Sequence, residues 1–110
     1  MIMNNLKTFE KLKYENLIHK YEKYLNKFFL SKYRSGADGL FMCKMIKIQR
    51  EFITFEYYEF DENVKEYEGS DNTLNIRDFN KYYKILNSFD TFEEMKKEYK
   101  LINYTKKYNL

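Results

Sequence analysis

A chain of 110 residues has room for one hydrophobic core and too little for two. Its single cysteine excludes an internal disulfide, and the lack of proline with only three glycines argues against a linker-rich or disordered chain. The net charge of +3 is unevenly spread: residues 1–36 carry eight Lys/Arg against three Glu, whereas residues 51–71 carry eight Asp/Glu against one Lys.

Twelve Tyr and ten Phe supply much of the apolar content. Aromatics bury large areas, so a few of them stabilise a small domain. The tyrosine hydroxyls need water or a partner, which places several tyrosines at the surface. The abundance of Lys, Asn, Tyr and Ile is also what an AT-rich genome would produce. No apolar run approaches the ~18 residues of a membrane span. Met1-Ile2-Met3-Asn4-Asn5 leads into charged residues too soon for a signal peptide. The expectation is a soluble, cytoplasmic protein in a reducing compartment.

Residues from about 6 to 33 read as one long helix. Leu6, Phe9, Leu12, Leu17, Ile18, Tyr21, Leu25, Phe28 and Phe29 recur at spacings of three and four, an apolar helical stripe. Asn5 or Thr8 is placed to cap its start. Ser35-Gly36-Ala37-Asp38-Gly39 is a turn by composition. Leu40 to Ile48 follows as a dense apolar run. Glu51 to Phe60 then alternates Ile53, Phe55 and Tyr57 against Thr54, Glu56 and Tyr58. Period-two alternation of β-branched and aromatic residues predicts a strand, and the two runs make an antiparallel hairpin.

Asp61-Glu62-Asn63 reads as a turn, Val64 to Glu68 as a third strand, and Gly69-Ser70-Asp71-Asn72 as a loop. A helical period returns with Ile76, Phe79, Tyr82, Tyr83 and Leu86, capped by Asn75, with Asp78 in the first turn. Asp90-Thr91 starts the last helix with capping-box spacing to Glu93 and Glu94. Its apolar side is Phe92, Met95, Tyr99 and Ile102. The sequence therefore predicts one α+β domain over 1–110, with 1–4 and 104–110 frayed. Its parts are a long N-terminal helix, an antiparallel two- or three-stranded sheet, and two C-terminal helices packed on one face.

The chain offers little catalytic chemistry. His19, the one histidine, lies three or four residues from Glu15 and Glu22 on a charged helical face, where histidine is usually a surface residue. Cys43 sits in an apolar strand, where cysteine behaves as a small hydrophobe. One Cys and one His cannot build a structural zinc site, and the acidic turn at Asp61 lacks the calcium-loop pattern. Glu94/Lys96 and Glu98/Lys100 have a nuclease-like spacing, but on a predicted helix they face different directions. Gly36 and Gly39 fit no phosphate-binding fingerprint. The sequence reads as non-enzymatic, with no catalytic residue, metal or cofactor.

Two surfaces remain. The acidic one comprises Glu51, Glu56, Glu59, Asp61, Glu62, Glu66, Glu68 and Asp71, with Tyr57, Tyr58 and Tyr67. Carboxylates on a rigid sheet can occupy phosphate positions on a basic partner, and tyrosine makes contact area at low entropic cost. Edge-strand charge also suppresses aggregation. The contact residues expected here are Glu56, Tyr57, Tyr58, Glu59, Asp61, Glu62, Glu66 and Tyr67. The basic one is the first helix, where Lys13, Lys20, Lys23, Lys27 and Arg34 interleave with tyrosines able to stack on bases.

The leading expectation is a protein-binding module that engages a basic, nucleic-acid-handling enzyme through the acidic hairpin. Nucleic-acid binding by the first helix is the alternative, and a homodimer through that helix a third. Small, motif-poor, Lys- and Tyr-rich chains are common among phage and mobile-element accessory proteins. In size and composition alone, this one resembles small inhibitors of bacterial defence systems, including anti-CRISPR proteins.

Overall fold

The computed structural model describes residues 14–60 and 68–108, with side chains described up to residue 104. Within these, helix α1 covers residues 14–22. Strands β1 (Phe28–Tyr33), β2 (Leu40–Gln49), β3 (Phe52–Tyr58) and β4 (Ser70–Asn75) follow. Then come α2 (Ile76–Tyr82), β5 (Tyr83–Phe89) and α3 (Phe92–Tyr108). The five strands form one sheet in the order β4-β3-β2-β1-β5, and every neighbouring pair is antiparallel. The class is α+β, but among the described residues the sheet has five strands where two or three were expected.

The expected long first helix is corrected most sharply. Helical structure stops at residue 22, and the segment read as its end is the strand β1. Asn26 takes a left-handed backbone at φ 63°, a conformation asparagine tolerates better than most residues. Its N–H donates to the Met45 carbonyl at 2.8 Å, and Met45 N–H donates to the Lys27 carbonyl at 3.0 Å. These bonds turn the chain into the sheet. Phe29 and Leu30 are then buried on opposite faces. A strand covered on both sides needs no polar alternation, so its apolar run is indistinguishable from the continuation of a helical stripe. The helical stripe on which a helix-mediated dimer would rest therefore stops before Leu25.

The C-terminal half is corrected too. Ser70–Asn75, expected as loop and helix cap, is the edge strand β4. Its polar residues carry no strand signal, and pairing with β3 supplies the order. Asn75 does cap α2, its side chain accepting from Arg77 N–H at 2.9 Å. The predicted helix through Leu86 ends at Tyr82, and Tyr83 to Phe89 pair with β1. The third strand expected over Val64–Glu68 lies, apart from Glu68, outside the described residues.

Nor do the two C-terminal helices share a face. Ile76 and Phe79 of α2 pack with Tyr21 of α1 against Phe29, Cys43, Met45, Ile53 and Phe55. Met95 of α3 packs against Leu30, Met42 and Tyr58 on the other side. The sheet is thus the middle layer, with α1 and α2 on one face and α3 on the other. Phe79 meets Tyr21 and Phe29 edge-on, at ring-centroid distances of 5.3 and 6.3 Å, a favoured aromatic geometry. Thr91 opens α3 by accepting from Glu94 N–H at 3.2 Å.

The hairpin is where it was expected. Met42 pairs with Tyr58, Cys43 with Tyr57, Lys44 with Glu56 and Met45 with Phe55, with a bulge before Lys47.

Candidate acidic edge and the basic cluster

The period-two geometry of β3 divides the expected hairpin contacts between two faces. Tyr57 points to the α1–α2 side with Cys43. Glu56 and Tyr58 point to the α3 side. Tyr58 is only 6% exposed, its ring packed against Phe92 and Phe28. It belongs to the core rather than to a contact surface, and its hydroxyl donates to Glu56 Oε2. Burial pushes the Tyr58 phenol well above its ordinary value, and the hydrogen bond to Glu56 and the Glu56 and Asp71 charges push it further.

Asp71 on β4 stands directly opposite Glu56, so the two side chains lie on the same face. On the other flank Glu56 is opposite Lys44, whose ammonium sits 5.2 Å from the Phe28 ring centroid. One step along, the Thr54 and Thr73 hydroxyls hydrogen-bond across the same two strands at 2.9 Å. Helix α3 lies over β1, β2 and β5 and reaches the Tyr58 end of β3 through Phe92 and Met95, while Glu56 stays half-buried and Asp71 exposed. Glu59 is exposed just after β3, and Ser70 to Thr73 are exposed along the edge strand. Asp61, Glu62, Glu66 and Tyr67 lie outside the described residues. Asp71, which the sequence placed in a loop, is the residue that joins Glu56 in this acidic strip.

The basic residues of the alternative reading do not share one helix face. Lys13 lies outside the described residues. Lys27 lies beyond α1 with its ammonium 3.8 Å from Asp90, and the Lys23 ammonium is 5.1 Å from the Tyr24 ring centroid. Lys20 and Arg34 instead converge on α2. Asn80 Oδ1 accepts from Lys20 Nζ at 2.8 Å and from the Tyr21 hydroxyl at 2.7 Å. The Asn80 backbone carbonyl accepts from Arg34 Nε at 2.7 Å. Partial burial, then the Arg34 and Lys23 charges, lower the Lys20 ammonium from its ordinary value. The lysines therefore do not neutralise the Glu56–Asp71 strip through these contacts. Lys20 gathers with Arg34 around the end of α2.

Cys43 is buried, and burial pushes its thiol up to about 12. It is a neutral thiol at physiological pH, unsuited to nucleophilic chemistry. His19 is exposed, 3.7 Å from Glu22. Among the described residues no cluster of His, Cys, Asp and Glu is arranged to hold a metal ion, and no helix is long and apolar enough to cross a membrane.

Comparison with protein families, with curated proteins and with solved structures finds no match to this chain.

Proposed function

We propose that the protein is a binding module whose β3–β4 edge docks on a basic protein surface of the kind that holds nucleic-acid phosphates. The Glu56–Asp71 pair carries this reading. The backbone register forces two carboxylates to face each other on one side of an edge ribbon, an arrangement that costs stability by itself. A cationic partner seated over both would convert that cost into attraction and steer the encounter.

Among the described residues no strand pairs with the outer edge of β4, and this supports the same reading. An edge strand presents unpaired backbone groups, and a partner strand can add to them. Acidic side chains beside that edge select for a basic partner. An inhibitor of a nucleic-acid-handling defence enzyme, of phage or mobile-element origin, is one class of protein with this requirement.

The test is affinity capture from a host lysate with the wild-type chain and with the doubly reversed Glu56→Lys/Asp71→Lys variant. The expected partner is a nucleic-acid-binding enzyme that the wild type retains, excess duplex DNA displaces, and the variant loses. A reversed variant that keeps every partner would remove the acidic edge from the interface.

A further inference from the structure

The sheet face that α2 crosses holds a cleft of about 240 Å³, on the side away from the Glu56–Asp71 strip. Phe41, Tyr57, Phe79 and Tyr83 wall it, and the buried Ser31 and Cys43 form its floor. The walls brace one another. Phe41 meets Tyr57 at 5.9 Å and Tyr83 at 6.1 Å in edge-on geometry, and Phe79 stacks on Tyr83 at 5.6 Å. Aromatic walls of this kind receive a flat ring better than a branched chain.

Polar groups border the apolar space. Asn72 on the edge strand donates its amide to the Ser70 carbonyl at 3.1 Å, which leaves its side-chain oxygen to accept. The Ser31 hydroxyl donates to the Lys84 carbonyl at 3.1 Å, which leaves its lone pairs. Burial raises the Tyr57 and Tyr83 phenols, and the Tyr83 hydroxyl is hydrogen-bonded with Tyr33. A ligand pocket has this constitution, mostly apolar with a few placed polar groups.

Through a wall shared by Leu74 and Tyr83 the cleft adjoins a second depression, bordered by Arg34, Asp78 and Lys81. Arg34 is fixed there. Its backbone N–H donates to the Tyr82 carbonyl at 3.0 Å and its Nε to the Asn80 carbonyl at 2.7 Å. A guanidinium has further N–H donors beyond Nε. Asp78 sets one carboxylate against these two cations.

We infer that the cleft and its rim bind a free mononucleotide, with the planar base between the aromatic walls and the phosphate against Arg34 and Lys81. The cleft shares Asn72 and Leu74 with the edge strand but lies on the sheet face opposite Glu56 and Asp71, so charge reversal at those two residues tests the interface and ligand titration tests this site.

Titration of the labelled chain at low salt with AMP, adenosine, inorganic phosphate and a short single-stranded oligonucleotide, followed by NMR, tests the inference. AMP is expected to shift the ring signals of Tyr57 and Tyr83 and to bind more tightly than adenosine or phosphate. Lys81→Gln, an exposed change that leaves the fold intact, is expected to weaken AMP by about fivefold, the size of one exposed charge contact. Tyr57→Leu, which keeps the site apolar, is expected to weaken AMP and adenosine alike. Adenosine binding as tightly as AMP, or shifts remote from Tyr57 and Tyr83, would overturn the inference. So would shifts at these rings from the oligonucleotide with none from AMP, which would assign the cleft to a strand instead of a free ligand.

Discussion

Asp71 faces Glu56 directly across the β3–β4 pair, and the Thr54–Thr73 hydroxyl contact one step away holds the two strands in that register. Like charges directly opposite on a sheet destabilise it by about 0.2–1 kcal/mol relative to neutral pairs. Replacing Asp71 by Lys converts repulsion into attraction. Asp71→Lys is therefore expected to raise the urea midpoint at pH 7, by a stability gain of about 0.5–1 kcal/mol. If the edge is an interface, the same change weakens partner capture, so stability and binding move in opposite directions. A lower midpoint would show that the pair does not strain the fold.

Tyr58 ties the core to this strip. Its hydroxyl donates to Glu56 from a ring buried against Phe28 and Phe92. Tyr58→Phe is expected to cost about 1 kcal/mol, the usual net worth of one hydrogen bond, because water still reaches the half-buried Glu56. The pH dependence has a definite sign. The folded phenol titrates above the unfolded value near 10, so above pH 10 the unfolded chain has fewer bound protons than the folded one. Stability contributed by the protonated phenol is intact below pH 10 and falls as pH rises toward the raised folded value. Chemical unfolding between pH 9 and 11 should show a steeper decline in wild type than in Tyr58→Phe; parallel curves would rule this linkage out.

Asn80 is the joint between α1, α2 and the end of β1. Its side chain accepts from Lys20 and from the hydroxyl of Tyr21, a residue only 2% exposed. Asn80→Ala leaves the proton of that hydroxyl without its acceptor, although its oxygen keeps a hydrogen bond with Arg34, and should cost about 1–3 kcal/mol. In a Tyr21→Phe background the same truncation should cost distinctly less, because the stranded donor is gone. A double-mutant cycle on thermal or urea unfolding reads the difference. Equal costs in both backgrounds would mean that the Tyr21–Asn80 bond contributes nothing.

Arg50 holds φ at 55° in the β2–β3 turn. A side chain in left-handed backbone costs roughly 1–2 kcal/mol, and glycine avoids that cost. Arg50→Gly gives part of the gain back as entropy of the unfolded chain. The expected net effect is a stabilisation of about 0.5–1 kcal/mol, seen as a higher melting temperature with the hairpin register unchanged. Destabilisation would mean that the Arg50 side chain makes contacts worth more than the backbone strain.

The hairpin was legible because β2 and β3 contain the residues that local rules recognise. Ile53, Phe55 and Tyr57 alternate with Thr54, Glu56 and Tyr58, which sets their faces, while the register and its bulge before Lys47 come from pairing with β2. The start of α2 at Asn75 and the apolar side of α3 were legible for the same reason, since a cap and a three-to-four spacing act within one turn. Phe28-Phe29-Leu30 misled because helices cover both sides of β1 and erase the polar positions that mark a strand. Tyr83 and Leu86 misled because a short helix runs straight into β5, and their spacing continues the stripe of α2. Ser70-Asp71-Asn72-Thr73 has no local preference for a strand and becomes one only by pairing with β3.

The candidate sites divide along the same line. Clustering of carboxylates between 51 and 71 is a property of the sequence, and so is the absence of a nucleophile–base pair or a metal-ligand spacing. Alternation alone already separates Tyr57 from Glu56 and Tyr58. The tertiary structure decided that Asp71 meets Glu56, that Lys20 and Arg34 meet at Asn80 rather than along one helix, and that Phe41, Tyr57, Phe79 and Tyr83 enclose a cleft. Those residues come from different elements, and no periodicity within one segment encodes the distance between two. The sequence by itself determined charge, turns and the one hairpin, because these rest on neighbours along the chain. Which strand became an edge, which helix took which face, and which residues meet were decided by long-range pairing and burial, whose energies depend on partners far away in the sequence.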